Sequence, residues 1–223
     1  MAPVKCILFD FGGTLDADGA SWVDRFYLLY KDAGIDAPRE TFDRAFYASD
    51  DNLASRFALA GLSLEETLTL QAACVLEALA PRRLPLRKRI VGRFLEDSRR
   101  HFLRNRPVLE RLGRAYKLGV VSNFYGNLEG VLKSEGLADL FATVADSTIV
   151  GATKPSPEIF LRAMRTLAVS PAECVMVGDS IPRDMRGAES LNLRHVLLSQ
   201  EPRTCCPQGL GLTTLPALEG LLR

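Results

Sequence analysis

The sequence predicts an α/β fold, a Rossmann-like parallel sheet core with a small four-helix cap domain. Short apolar segments of strand length alternate with amphipathic helical segments along much of the chain, which is typical of a parallel sheet. A long region with helical periodicity alone interrupts this alternation after the first strand. An acidic residue, Asp10, follows that first strand directly, at the position where open α/β sheets place their functional groups.

The helical region predicts a cap domain over residues 17–104, inserted into a core formed by residues 1–16 and 105–223. Apolar residues recur at helical spacing in four segments of this region. Ser63 and Glu66 have the spacing of a capping box, in which each side chain bonds the backbone of the other, and they predict the start of the third helix. Four helices joined by short turns predict a small bundle.

The rest of the core is predicted from the alternation that resumes after the cap. Helices are expected at 128–140, after Ser156 as N-cap, and from about Pro182. Residues 201–214, rich in Pro, Gly, Cys and Thr, predict an irregular loop before a short terminal helix. The further strands are expected at 117–123, 141–146, 173–178 and 194–198.

Length and composition indicate one large domain or a core domain with an insertion. The chain has 223 residues, of which 47% are hydrophobic, and a formal net charge of +1. This balance gives no electrostatic reason to expect nucleic acid or an acidic membrane surface as a partner. No apolar run of about 18 residues predicts a membrane span, and the first residues lead straight into a strand. We therefore expect a cytoplasmic protein that binds neither membrane nor nucleic acid.

The five cysteines are an odd number without a zinc-type spacing, so they predict reduced thiols rather than a disulfide framework. The adjacent Cys205 and Cys206 are expected to be incidental rather than redox-active. His195 lies beside a predicted strand, and the sequence shows no partner that would make it a ligand or a base. It is therefore expected to be a packing residue.

The segment CILFDFGGTLD carries the first candidate site residues. Gly12 and Gly13 allow the backbone to turn sharply after the buried strand and to approach a ligand, and Thr14 adds a hydroxyl. From these residues alone, two interpretations stay open. Asp10 is a nucleophile or metal ligand, or it is a strand-end residue that accepts hydrogen bonds from turn amides.

Polar residues also follow other strands of the predicted sheet. The carboxyl ends of parallel strands meet at one edge of the sheet, so these residues converge. Asp10 and Asp179 would repel each other unless a cation lay between them, and a site of oxygen ligands with room for water suits Mg²⁺. Ser122 and Lys154 opposite that ion would hold a tetrahedral dianion. The constellation predicts a phosphoryl-transfer site.

Four segments together resemble the motifs of the haloacid dehalogenase superfamily, in the family's order: DFGGT, VVSN, the lysine of TKPSPEIF, and GDSIPRD. The helical region resembles the family's cap. The resemblance implies that Asp10 attacks phosphorus and forms an aspartyl phosphate that water then hydrolyses. The expected catalytic residues are Asp10, Ser122 and Lys154. The expected phosphate-binding residues are Thr14, Ser122, Asn123 and Lys154. The expected Mg²⁺ ligands are Asp10, Asp179, Asp184 and the carbonyl of Gly12.

The sequence departs from this family pattern at Gly12. In the family's phosphatases, a second aspartate two residues after the nucleophile protonates the leaving oxygen and then activates water. A proton-transfer group of this kind contributes roughly 10²- to 10⁴-fold in rate, so slow turnover is expected. Asp16 and Asp18 are nearby substitutes, but the short loop is expected to direct them toward the cap hinge. Replacing Gly12 with aspartate is expected to raise activity.

Three alternatives follow from the missing acid. A true dehalogenase would lack the metal-binding aspartate of the fourth motif, whereas Asp179 is present. A phosphonate hydrolase needs a cap lysine to form an imine, and only Lys31 lies between Lys5 and Lys88. A catalytically silent protein that binds a phosphorylated ligand has no need of the attacking carboxylate. The favoured prediction is hydrolysis of a small phosphorylated metabolite, with the substrate and the oligomeric state left open.

Overall fold

The computed structural model describes residues 2–206 and 209–222, and its centre is a six-stranded sheet. Neighbouring strands are parallel throughout, in the order β3-β2-β1-β4-β5-β6. The predicted Rossmann-like α/β core is thereby confirmed. The strands are β1 (Cys6–Phe9), β2 (Lys117–Ser122), β3 (Thr143–Asp146), β4 (Cys174–Gly178), β5 (Arg194–Leu198) and β6 (Leu210–Leu212).

The strand order places a topological switch point at β1. From β1 the chain adds β2 and β3 on one side and β4, β5 and β6 on the other. Phe9, the last residue of β1, pairs with Val120 and Val177 of the two neighbours. The backbone N–H of Asp10 then donates to the carbonyl of Val177 at 2.9 Å. Since ligands of open α/β sheets bind at such a switch point, Asp10 lies at the favoured place for a site.

Side chains of β1 alternate between two apolar cores, one on each face of the sheet. Ile7 and Phe9 belong to the larger core, which continues into the cap, whereas Cys6 and Leu8 belong to the smaller one. All four are fully buried. This two-sided burial explains why the strand is a continuous apolar run rather than an alternating one.

Four helices follow β1, as the sequence predicts. Ser63 and Glu66 make both bonds of the predicted capping box at the start of the third helix. Phe26 and Phe94 stack with ring centroids 4.2 Å apart and join the first helix to the fourth. The helices are α1 (Trp22–Asp32), α2 (Arg39–Arg56), α3 (Leu64–Leu79) and α4 (Arg87–Gly113).

Helix α4 continues through the predicted domain boundary between residues 104 and 105. It has 27 residues and ends at Gly113, so its first part packs in the cap and its last part against the core. Asn105, beside the predicted boundary, donates from its side-chain amide to the carbonyl of Leu15 at 3.0 Å. The two predicted domains are therefore joined by a continuous helix rather than by a loop, and the position of the boundary stays a prediction.

The remaining helices surround the sheet. They are α5 (Leu128–Ser134), α6 (Ser147–Val150), α7 (Pro157–Leu167), α8 (Arg186–Ser190) and the terminal α9 (Leu218–Leu221). Helix α5 is shorter than the predicted 128–140, because Gly136 adopts a positive φ of 68° and ends it. The prediction of an irregular loop over 201–214 was wrong at β6, which forms an edge strand. In the described parts of the chain, no helix has the length and apolarity needed to cross a membrane.

Candidate active site

A cleft lies at the carboxyl ends of β1, β2 and β4, between the core and the first two cap helices. Its volume is about 700 Å³, including the space at its open mouth. The core supplies the predicted site residues Asp10, Gly12, Ser122, Asn123, Lys154 and Asp179, and the cap supplies aromatic and polar side chains from α1 and α2. Most of the predicted site therefore lines one continuous cleft.

The carboxylate of Asp10 is held by two donors at the base of the cleft. Ser122 Oγ donates to its Oδ1 at 2.8 Å, and Lys154 Nζ lies 2.7 Å from the same oxygen. Burial raises the pKa of Asp10, but the charge and hydrogen bond of Lys154 outweigh burial, and the pKa is lowered overall. Asp10 is therefore ionised, as a nucleophile must be.

Lys154 bridges two acids. Its Nζ lies 2.6 Å from Asp184 Oδ1 in addition to its contact with Asp10, and it donates to the carbonyl of Val121 at 2.9 Å. Burial lowers the pKa of Lys154, but the charges of the two acids outweigh it and raise the pKa. The side chain of Asn123 accepts from the backbone N–H of Lys154 at 2.7 Å and donates to its carbonyl at 3.2 Å. Asn123 therefore positions Lys154, and its amide is already engaged.

Asp10, Asp179 and Asp184 form the predicted acidic cluster. One carboxylate oxygen of each lies within 4.8 Å of the others. Burial, followed by repulsion from the other two acids, raises the pKa of Asp179 well above its usual value. Burial also raises the pKa of Asp184, to about 6, although Lys154 opposes the change. A cation would relieve this repulsion, and a set of carboxylate oxygens suits Mg²⁺, so these residues fit the predicted ion.

Thr14 and Gly13 support Asp179. The Thr14 hydroxyl, which is fully buried and outside the cleft lining, donates to Asp179 Oδ1 at 3.3 Å. Thr14 thus orients an acid of the acidic cluster, and the structure does not bring Thr14 to the expected phosphate position. Gly13 has a φ of 89°, and a Cβ there would lie 2.6 Å from Asp179 Oδ2. Only glycine fits this turn without displacing the acid.

The indole of Trp22 fills the space beside Gly12. A Cβ built on Gly12 would lie 2.9 Å from Trp22 Nε1 and 3.1 Å from its Cε2. The indole is itself fixed, because its Nε1 donates to Asp16 Oδ2 at 2.8 Å. The sequence analysis did not connect Trp22 with Gly12, because no pattern in one sequence shows which residue packs against a glycine.

Neither proposed substitute for the missing acid lines the cleft. Asp16 is fully buried, and it accepts hydrogen bonds from the backbone N–H of Gly13 at 2.7 Å and from Arg25 at 2.6 Å. Asp18 lies 2.7 Å from Arg104 and accepts from the backbone N–H of Leu215 at 3.1 Å. Asp16 and Asp18 are therefore both engaged in structural contacts.

The cap contributes Asp50 to the cleft. Asp50 lies inside α2. Its Oδ1 accepts hydrogen bonds from the hydroxyl of Tyr125 and, at 3.0 Å, from Gln71 Nε2. Burial raises the pKa of Asp50, with the Tyr125 hydrogen bond opposing it. Tyr47, three residues earlier on the same helix, also lines the cleft. Residues three apart lie on one face of a helix, and this spacing is the sequence signal that relates Tyr47 to Asp50.

Arg183 is a second cation of the cleft that the sequence analysis did not single out. It lies within GDSIPRD, and its Nε donates to Ser180 Oγ at 3.2 Å. Burial lowers its pKa, but the acidic cluster outweighs burial and raises it. By contrast, Lys31 is exposed near the end of α1 and does not line the cleft. The imine-forming lysine of a phosphonate hydrolase therefore has no counterpart at Lys31.

Comparisons with known proteins agree with this site. The family model described as haloacid dehalogenase-like hydrolase matches residues 4–192. A bovine (Bos taurus) haloacid dehalogenase-like hydrolase domain-containing protein 3 is 40% identical over 86 residues, which are 39% of this chain and 34% of the relative. The phosphoserine phosphatase of Thermus thermophilus is 30% identical over 155 residues, 60% of this chain and 62% of that enzyme.

Among solved structures, a haloacid dehalogenase-type (HAD) phosphatase from Thermococcus onnurineus is 26% identical. Its TM-score is 0.57, and the match covers 98% of both chains. The sequence matches to the two curated relatives are shorter: they span about a third of the bovine protein and under two thirds of the Thermus enzyme.

Proposed function

The chain belongs to the haloacid dehalogenase-like hydrolases, and we propose that it hydrolyses a small phosphomonoester through a phosphorylated Asp10, with Mg²⁺ as cofactor. The observation that carries the proposal is the environment of Asp10. Its ionised carboxylate lies at the base of a cleft, fixed by Ser122 and Lys154 and adjacent to two further acids. The similarity to two phosphatases supports this class of reaction.

In the first step, a carboxylate oxygen of Asp10 forms a bond to phosphorus, and the bond from phosphorus to the leaving oxygen breaks. Ser122 and Lys154 are placed to donate to the phosphoryl oxygens, which gain charge in the transition state. In the second step, water forms a bond to the same phosphorus and passes a proton to solvent, while the bond from phosphorus to Asp10 breaks. Inorganic phosphate leaves, and the Asp10 carboxylate is regenerated. The positive charge of Lys154 lowers the repulsion between the carboxylate and the phosphoryl dianion in both steps.

Asp179, Asp184, Asp10 and the carbonyl of Gly12 would hold the Mg²⁺ ion. The ion supplies positive charge that allows an anionic nucleophile and an anionic phosphoryl group to approach each other. Thr14 contributes indirectly, because its hydroxyl fixes the orientation of Asp179.

The leaving oxygen needs a proton, and the group at position 12 cannot supply it. Since neither Asp16 nor Asp18 lines the cleft, we take solvent and the cap acid Asp50 as the candidate sources, because burial raises the pKa of Asp50. Substrates whose leaving oxygen is weakly basic need this proton least. We therefore propose that the preferred phosphorylated metabolites have good leaving groups, such as acyl phosphates.

A measurement of phosphate release tests this proposal. The protein should release phosphate from p-nitrophenyl phosphate with Mg²⁺ and lose this activity with excess chelator. Asp10→Asn should abolish turnover with little loss of stability, whereas the control Asp32→Asn, at an exposed ion pair with Arg93, should not. Full activity of Asp10→Asn would refute the mechanism. Binding of inorganic phosphate without turnover by the unmodified chain would instead indicate a silent phospho-ligand binding protein.

A further inference from the structure

A second cluster of potential metal ligands lies outside the cleft, near the amino end of strand β5. It comprises Glu189 of α8, His195 at the amino end of β5, and Cys205 and Cys206 of the loop before β6. None of the four lines the cleft, which lies at the carboxyl ends of the strands. The cluster combines two sulfur donors, one nitrogen and one oxygen, and is therefore different in chemistry from the acids around Asp10.

Three distances between ligand atoms of the cluster lie in the range of a tetrahedral metal site. The two sulfurs are 3.6 Å apart, His195 Nε2 lies 3.4 Å from Cys206 Sγ, and Glu189 Oε1 lies 3.8 Å from the same nitrogen. In tetrahedral zinc sites, bonds of about 2.3 Å to sulfur and about 2.0 Å to nitrogen or oxygen place neighbouring ligand atoms about 3.3 to 3.8 Å apart. All four ligand atoms lie within 4.8 Å of one another.

The imidazole of His195 is already oriented as a ligand. Its Nδ1 lies 3.0 Å from the carbonyl oxygen of Leu193. A carbonyl oxygen only accepts hydrogen bonds, so Nδ1 carries the proton and Nε2 presents its lone pair to the thiols. This arrangement is typical of metal-binding histidines, whose second nitrogen donates to a backbone carbonyl. His195 is only 7% exposed, so the surrounding protein fixes the ring.

Gly209 brings the backbone directly against the cluster. A Cβ at this residue would lie 2.5 Å from Cys205 Sγ, 3.2 Å from Cys206 Sγ and 3.2 Å from His195 Nε2. A side chain at position 209 would therefore displace the ligand atoms. Gly209 therefore closes one side of the cluster.

We propose that His195, Cys205, Cys206 and Glu189 bind one Zn²⁺ ion. Thiolate and imidazole ligands in a tetrahedral arrangement favour Zn²⁺ over Mg²⁺. Binding replaces the thiol protons of both cysteines, which pass to solvent, and no electron is transferred. This inference departs from the sequence analysis, which expected the cysteines to be incidental and His195 to be a packing residue. Adjacent cysteines have no recognisable zinc spacing, and only the fold brings Glu189 and His195 to them.

The ion would join three separate segments of the chain. It would link α8 and β5 to the loop that leads into β6, which has only three residues. Because β6 contacts the sheet on one side only, through β5, it has few other contacts to hold it. The site is therefore structural, with all four positions taken by protein ligands, and it is independent of phosphate hydrolysis.

Metal content and spectroscopy test the proposal on the untagged full chain. Protein stripped with chelator and dialysed against Zn²⁺ should hold one tightly bound zinc per chain. X-ray absorption should show two sulfur neighbours at about 2.3 Å and two lighter neighbours at about 2.0 Å. Substitution with Co²⁺ should give a thiolate-to-metal charge-transfer band. The double variant Cys205→Ser/Cys206→Ser should lose the zinc and the band, and Glu189→Gln should bind zinc more weakly.

Two control variants separate this site from others. Cys74→Ala removes a thiol outside the cluster, and Asp179→Asn removes an acid of the cleft, so both should keep one zinc. Absence of bound zinc, or a zinc shell without sulfur in the unmodified chain, would overturn the proposal. A disulfide between Cys205 and Cys206 in protein kept under reductant, measured as three rather than five free thiols after denaturation, would also overturn it. These measurements on the unmodified chain decide the matter even if the double variant fails to fold.

Discussion

At the scale of single residues, Gly12 and Trp22 form one feature. Position 12 holds glycine instead of the aspartate expected of a phosphatase of this family. The Trp22 indole occupies the space into which an aspartate side chain would extend. Loss of the acid and packing of the cap are therefore linked. We therefore expect that a change at Gly12 alone does not restore the site, whereas the sequence analysis, which could not place Trp22 beside Gly12, predicts a simple gain from aspartate.

We expect Gly12→Asp alone to give far less than the roughly 10²-fold gain of a positioned proton donor, because Trp22 blocks the new side chain. The double variant Gly12→Asp/Trp22→Leu should show a gain approaching that size. The measurement is kcat per folded protein with a phosphomonoester that has a poor leaving group. The control Trp22→Leu should show no gain, and a full gain from the single Gly12→Asp variant would contradict the proposed role of the indole.

The acidic cluster predicts how metal binding depends on pH. Burial raises the pKa of Asp184 to about 6, and burial followed by repulsion from the other two acids raises the pKa of Asp179 well above its usual value. A carboxyl group whose pKa is higher in the folded than in the unfolded protein stabilises the fold while it is protonated. The metal-free protein therefore loses stability as the pH rises from the usual carboxyl pKa through the raised values. Mg²⁺ needs both groups ionised.

The increase in Tm produced by Mg²⁺ should therefore be larger at about pH 7.5 than at about pH 5. Thermal unfolding with and without the ion, at both pH values, measures this difference. Because the two samples are compared at the same pH, titratable groups away from the ion, such as His101, contribute equally to both and cancel. The Asp179→Asn variant should lose most of the increase. Equal protection at the two pH values would show that these acids do not bind the ion.

At the scale of elements, Asp16 joins the loop after β1 to two helices of the cap. It accepts hydrogen bonds from Trp22 and Arg25 of α1 and, at 3.2 Å, from Ser98 of α4. Arg25 also donates to Ser98 at 2.8 Å. These buried contacts fix the start of the cap relative to the strand that carries Asp10.

Asp16→Asn should destabilise the fold by about 3 kcal/mol, because it leaves the buried guanidinium of Arg25 with a neutral partner. The matched control is Asp97→Asn, which breaks the other ion pair of Arg25 at a carboxylate that is 39% exposed, and it should cost about 0 to 1 kcal/mol. Denaturant unfolding measures both. Equal losses for the two variants would show that Asp16 is not the main partner.

The sequence predicted those elements whose patterns are local. Strands β1 and β4 are continuous apolar runs, and the capping box of α3 lies within four residues, so both were recognised. Strand β6 was missed, because three residues including a glycine carry no strand pattern and pair only through the tertiary fold. In the same way, the acids after β1 and β4 were predicted to converge, whereas Asp50 and Arg183 reach the cleft through contacts that no local pattern records.

At the scale of the whole molecule, the cleft combines a complete nucleophile site with no acid at position 12. Catalysis should then depend strongly on the leaving group. With Mg²⁺ present, kcat/KM should increase steeply as the pKa of the leaving alcohol or acid falls, across a series of aryl, acyl and alkyl phosphates. Asp50→Asn should steepen this dependence if Asp50 supplies the proton. Similar rates for alkyl and aryl phosphates would indicate an efficient proton donor in the cleft.

The most direct test of the central claim is to trap the phosphorylated enzyme. Acid quenching during turnover of an acyl phosphate with Mg²⁺, followed by borohydride reduction and peptide mass spectrometry, locates an aspartyl phosphate in the chain. We expect the modification at Asp10 in the unmodified protein and none in Asp10→Asn. Phosphate release without modification of Asp10, or modification at another acid, would contradict the proposed mechanism.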